Sequence, residues 1–102
     1  MEITVTQNAG RARLTIKGDI DEKGAENLKA EIARLNLNEL LEVTLDLGEV
    51  PYIGSSGIGK ILLLYKHLAA RDGRLRLERV TPNVLELMRE LKLDTLFAIT
   101  AA

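Results

Sequence analysis

The chain has 102 residues, 46% hydrophobic and 28% charged, which is the balance of a single globular domain over residues 1–102. Fourteen Lys and Arg against fifteen Asp and Glu leave a formal net charge of −1, which argues against direct nucleic-acid binding. With no cysteine, one histidine and three aromatic residues (Tyr52, Tyr65, Phe97), disulfides, thiolate or His-cluster metal sites and a base-stacking platform are excluded.

In chain order, Ile3 and Val5 alternate with Thr4 and Thr6, and Leu14 and Ile16 alternate with Arg13, Thr15 and Lys17, so both segments read as half-buried strands. Asn8-Ala9-Gly10 between them is a hairpin turn signal. A helix is predicted from about Glu22 to Leu35, with Ala25, Leu28, Ile32 and Leu35 on one stripe and Asp19 or Asp21 as N-cap. Val43 to Leu47 is a third strand, and Gly48 to Gly54 a loop. A second helix runs from about Ser56 to Ala70, with Ile58, Ile61, Leu62, Tyr65, Leu68 and Ala69 on its core face. Arg74 to Glu78 alternates as a fourth strand, with Arg71, Arg74, Arg76 and Arg79 read as a charged strand edge that deters edge-to-edge pairing. Thr81-Pro82 starts a third helix striped by Val84, Leu85, Met88 and Leu91, with Thr81 as N-cap. Leu96 to Ile99 is a short last strand or an apolar tail.

Strands alternating with helices predict one α/β domain with a mixed four- to five-stranded sheet and parallel crossovers. Alternation within the strands places the helices mainly on one sheet face. Met1 to Val5 has no signal-peptide character, and the longest apolar run, Ile61 to Tyr65, is far short of the roughly 20 residues of a membrane span. A cytoplasmic domain without membrane insertion is expected. His67 reads as a solvated surface residue. Asp19, Asp21 and Asp46 read as capping and turn residues, or else as a divalent-ion or kinase-contact patch near the serine loop.

The informative segment is Gly48-Glu49-Val50-Pro51-Tyr52-Ile53-Gly54-Ser55-Ser56-Gly57-Ile58-Gly59-Lys60, which carries four glycines and two serines where a strand passes to a helix. One reading is structural: serine as N-cap, glycine for a tight bend. A second is a phosphate loop, since Gly54, four residues and Gly59-Lys60 match most of G-x-x-x-x-G-K-[ST]; Ile61 lacks the hydroxyl that would hold magnesium. A third is a regulated serine at a helix N-terminus. Ser56 and Leu63 lie two turns apart on the face opposite the core, with Gly59, Lys60, His67 and Ala70, and form a partner-binding ridge. A phosphate on Ser56 adds about −1.5 to −2 charge, which a helix N-terminus tolerates but a docked partner would not.

At these residues the chain resembles the STAS domain family of anti-sigma factor antagonists over nearly its whole length. Ile53-Gly54-Ser55-Ser56-Gly57-Ile58-Gly59 is similar to the family signature Asp-Ser-Ser-Gly-Leu-Gly. Gly18-Asp19-Ile20-Asp21 is similar to its Gly-x-Leu-Asp element, and Leu45-Asp46-Leu47 to the end of its central strand. The resemblance implies no catalysis and no cofactor or metal. It implies a partner anti-sigma factor with serine kinase activity that binds the unphosphorylated chain and phosphorylates Ser56, and a phosphatase that reverses the step. It implies a docking surface of Asp21, Ser55, Ser56, Gly57, Gly59, Lys60 and Leu63. Gly54 stands where the family usually has Asp, which removes a carboxylate beside the phospho-acceptor and loosens the loop. A STAS subunit of a signalling scaffold or lipid-transport complex, working without phosphorylation, is the alternative.

Overall fold

The computed structural model describes all residues, 1–102. The order is β1 (Glu2–Asn8), β2 (Arg11–Lys17), α1 (Glu22–Ala33), a 3-10 turn (Leu37–Glu39), β3 (Glu42–Glu49), α2 (Ser55–Ala69), β4 (Arg74–Val80), α3 (Pro82–Glu90), a second 3-10 turn (Leu93–Thr95) and β5 (Ala98–Ala101). The β1–β2 loop is Ala9-Gly10, both at positive φ (48° and 81°), the backbone that makes a tight hairpin follow strand twist. All other pairings are parallel, and the strands lie in sequence order β1-β2-β3-β4-β5. Each crossover moves one strand in the same direction. Right-handed connections therefore put α1, α2 and α3 on the same side of the sheet.

Register explains the two faces. Val5, Leu14, Leu45, Leu77 and Ile99 stand opposite one another across all five strands. The central three are completely buried beneath the helices, and each such leucine contributes about 1.5–3 kcal/mol. The residues between them point away from the helices. There Arg13 spans Asp46 (Nη2 to Oδ2, 2.8 Å) and Glu78 (Nη1 to Oε1, 2.7 Å). Arg79 donates from Nε to Asp46 Oδ1 at 2.9 Å, and the Gly48 amide reaches the same oxygen at 3.0 Å. The Arg76 guanidinium lies 3.5 Å from Glu78.

This geometry corrects the reading of the arginines as a strand edge. β4 is an interior strand, and Arg74, Arg76 and Arg79 belong to the polar outer face of the sheet or its rim; Arg71 sits in the turn after α2. Asp46 is held in an ion-pair network on the outer face of the sheet and does not line the cleft that holds the serines. Burial alone would raise its pKa, but the Gly48 amide and the Arg79 and Arg13 guanidiniums outweigh burial and hold the carboxyl below its usual range. Hydrogen bonds to Glu78 and Asp46 raise the Arg13 pKa further, so it stays charged.

Several boundaries differ from expectation. α1 ends at Ala33, and Leu35 is buried in the exit turn instead. α3 buries Val84 and Met88, while Leu91 lies beyond its end and is 48% exposed. Thr81 occupies the N-cap position, but its hydroxyl donates to the Val50 carbonyl at 2.7 Å rather than capping the helix. It ties α3 to the loop before α2. Leu96 is exposed and outside the last strand, whereas Phe97 packs on Tyr65 with ring centroids 5.6 Å apart. No helix is long and apolar enough to cross a membrane.

Candidate functional site: the start of helix α2

The serine loop is a continuation of the β2–β3 pair. Past the strand ends, the Gly18 amide donates to Glu49 O, the Ile20 amide to Tyr52 O and the Gly54 amide to Ile20 O, each at 2.9 Å. Ile20 and Ile53 form a parallel bridge, and both side chains are buried. Two short segments, 18–21 and 49–54, thus run side by side and deliver the starts of α1 and α2 to one end of the domain. The Asp21 carboxylate caps α1, its Oδ1 accepting from the Gly24 amide at 2.8 Å.

The N-cap of α2 is Gly54, in ordinary extended backbone (φ −95°, ψ 178°), and no side chain caps the helix. Ser55 and Ser56 are its first two helical residues. Serine as N-cap is therefore not what the sequence builds here. The loop is also not loosened by Gly54, which is pinned to Ile20. Neither serine hydroxyl hydrogen-bonds within the chain; Ser55 is exposed and Ser56 half-buried. Both line a shallow cleft of about 470 Å³ with Asp21, Glu22, Lys23, Tyr52 and Gly54.

Tyr52 is the residue that sequence reasoning missed. It is 54% exposed, and its hydroxyl lies 3.1 Å from where a Cβ on Gly54 would stand. The side-chain space left by the missing family carboxylate is thus occupied by a phenol. An aromatic residue two positions before a glycine gave the only hint.

Gly57 requires a correction. As part of the docking surface it would have to be accessible, but it is buried, and a Cβ there would lie 2.6 Å from Ile20 Cγ2 and 2.7 Å from Ile53 Cγ1. Its role is to let α2 approach the two bridge residues. Gly59 faces open space, with nothing within 4 Å of a Cβ. Leu63 is 53% exposed, and His67 is exposed one turn further on. The predicted core face of α2 is turned: the buried residues are Gly57, Ile58, Ile61, Leu64 and Leu68, with Leu62 and Tyr65 half-buried and Ala69 exposed. Asp21, Ser55 and Ser56 therefore share one cleft, while Lys60 and Leu63 line a second depression along α2, towards α1.

The helical state of residues 55–60 bears on the phosphate-loop reading. Gly57, Gly59 and Lys60 lie inside the first two turns, so their amides are not arranged as a loop around a phosphate. No three His, Asp or Glu side chains converge in a way that holds a metal ion.

Fold and site define a small α/β domain with helices on one side and a serine pair opening its second helix. Comparison with known proteins agrees. A family model described as Mlab, STAS domain matches residues 3–99, and the chain belongs to the STAS domain family. A candidate anti-sigma factor antagonist of Bordetella bronchiseptica, BtrV, is 34% identical over 86 residues, 84% of this chain and 74% of that one. Among solved structures, a candidate anti-sigma factor antagonist from Thermotoga maritima superposes with a TM-score of 0.88 at 19% identity, covering 98% of this chain and 86% of that one. The anti-sigma factor antagonist SpoIIAA in its unphosphorylated form gives 0.78 at 18% identity, over 99% and 89%. The Bacillus protein in its phosphorylated form gives 0.78 at 16% identity, over 98% and 92%.

Proposed function

We propose that this chain is an anti-sigma factor antagonist that binds an anti-sigma factor with serine kinase activity, and that phosphorylation of Ser56 releases it. The observation that carries this reading is the state of Ser56. Its hydroxyl is free of intramolecular bonds, half-exposed at the second position of α2, and placed in the cleft that also holds Asp21 and Ser55. The α2 backbone start offers favourable electrostatics for a phosphate, so modification leaves the fold intact. The added charge and bulk act on the docked partner instead. A phosphatase resets the switch, and the cycle runs in the cytoplasm where ATP is available.

The test is phosphotransfer from labelled ATP in the presence of the kinase. Wild type accepts label and Ser56→Ala does not; labelling that survives in Ser56→Ala rejects the assignment. Ser56→Asp is expected to weaken kinase binding by tenfold or more, about 1.4 kcal/mol. A specific observation favours a second reading: Gly54 and Tyr52 replace the carboxylate beside the acceptor, and the matching family model carries the description Mlab. In that reading the same surface serves a scaffold or lipid-transport subunit without modification. Partner binding that is equal for wild type, Ser56→Ala and Ser56→Asp, with no labelling, selects it.

A further inference from the structure

Helices α1 and α2 leave a groove between them of about 460 Å³. From α2 it is lined by Lys60, Leu63, Leu64 and His67, at positions i, i+3, i+4 and i+7, a continuous stripe over two turns. From α1 come Lys29 and Ile32, and residues 35–38 close one end. The lining contains two lysines and no carboxylate. In a chain where Asp and Glu outnumber Lys and Arg by fifteen to fourteen, that one-sided charge is a local property. Leu63 stands 53% exposed at its lip.

We infer that this groove receives an amphipathic helix of the protein partner, with an apolar stripe flanked by Asp and Glu. The inference rests on the partner-binding reading above and specifies what the partner brings. A stripe at this spacing beside a second helix is the surface into which a third helix packs its ridges. The two ammonium groups select acidic flanks. A small-molecule guest fits less well, because such pockets enclose most of their ligand and this groove is open along its length. The groove also connects to the serine. Ser56 and Lys60 are four residues apart on α2, hence neighbours on its surface. A phosphate on Ser56 competes for the Lys60 ammonium and places negative charge at the rim, which opposes an acidic helix.

The test uses the full chain, isotopically labelled, titrated with a blocked helical peptide about three heptads long, with Leu at a and d and Glu at e and g. A counterpart carries Lys for Glu. Amide shifts are expected at Lys29, Ile32, residues 35–38 and Lys60 to His67. The acidic peptide is expected to bind about tenfold tighter than the basic one, as two solvated ion pairs allow. Lys29→Glu with Lys60→Glu reverses that preference, and Leu63→Asp, at an exposed position, weakens both peptides severalfold without moving the unfolding midpoint. The inference is overturned by equal affinity for both peptides, by shifts located elsewhere, or by absence of saturable binding. It is also overturned if the same residues shift with protein concentration alone, which would make the occupant a second copy of the chain. Neither kinase nor ATP enters this assay. A failed phosphotransfer experiment therefore leaves its result standing, and failure here leaves the phosphotransfer result standing.

Discussion

Asp46 shows how one side chain can organise the approach to the site without being part of it. Its two oxygens accept from Arg13, Arg79 and the Gly48 amide, so the carboxylate clamps the end of β3 just before the chain turns towards the serines. Gly48 leaves room for this clamp: a Cβ there would fall 2.6 Å from Arg79 Cζ, so the guanidinium would have to shift. Arg79 itself is at φ 53°, a left-handed backbone uncommon for a non-glycine residue, where the β4–β5 register shifts between Leu77 and Val80. Both guanidiniums are partly solvated, at 40% and 54% exposure, which limits what the network contributes. Asp46→Asn is expected to lower unfolding free energy by about 1–2 kcal/mol at pH 7, measured in urea. The sign with pH follows from the depressed folded pKa. The contribution is full above the unfolded carboxylate value of about 3.9 and is lost as pH falls through the lower folded value. The gap between wild type and Asp46→Asn therefore narrows as pH falls below the unfolded value; a gap that stays constant contradicts the clamp. At Gly54 the expected sign is opposite. Aspartate is a better N-cap than glycine by a few tenths of a kcal/mol, and the exposed Tyr52 can swing away from the new Cβ. Gly54→Asp should therefore raise the unfolding midpoint slightly, and a clear loss would show that Tyr52 is held in place.

Helix α2 carries two glycines two residues apart with opposite physical roles. Gly57→Ala drives a methyl into Ile20 and Ile53, which bridge the two segments that deliver the site. Overpacking at a buried position costs about 1–3 kcal/mol, more than the roughly 1 kcal/mol that alanine gains over glycine in a helix. Gly59→Ala meets nothing and keeps that gain, so thermal unfolding should move down for Gly57→Ala and up for Gly59→Ala. The pair also shows what the sequence could reveal. The succession of strands and helices, the one-sided helices and the serine-bearing start of α2 were legible, because alternation and capping signals are local. The rotation of α2 was not. The predicted stripe centred on Ile58 and Tyr65, whereas burial of Gly57 and Leu64 means a roll of roughly 50° at 100° per residue. That roll comes from packing α2 against α1 as well as the sheet, a contact that no pattern within α2 encodes. The arginines of β4 were misplaced for a related reason. An alternating row of charge reads the same on an edge strand as on the uncovered face of an interior one, and only the strand order distinguishes them. Gly57 looked like Gly59 in sequence because a glycine reports neither what approaches it nor from where.

For the molecule as a whole, the question is whether the serine acts through docking or through stability. The chain's formal charge is −1, and a phosphate adds about −1.5 to −2 more, so one modification reshapes the field of the entire domain. Yet the energetic anchor of the fold is elsewhere, in the leucine row through β2, β3 and β4. Ser56 is on the first turn of α2, where negative charge gains about 0.3–1 kcal/mol from the backbone, partly offset here by Asp21 and Glu22 across the cleft. For a domain of this size 1 kcal/mol corresponds to about 4–8 °C, so the melting temperature of Ser56→Asp should lie within a few degrees of wild type. Its amide exchange should be unchanged in β2, β3 and β4 and altered only around residues 52–60. A drop in melting temperature well beyond about 5 °C, or faster exchange in β3, would mean that the charge acts by unfolding the domain. A stable Ser56→Asp protein that has lost its partner would place the switch at the surface, on a scaffold that does not change shape.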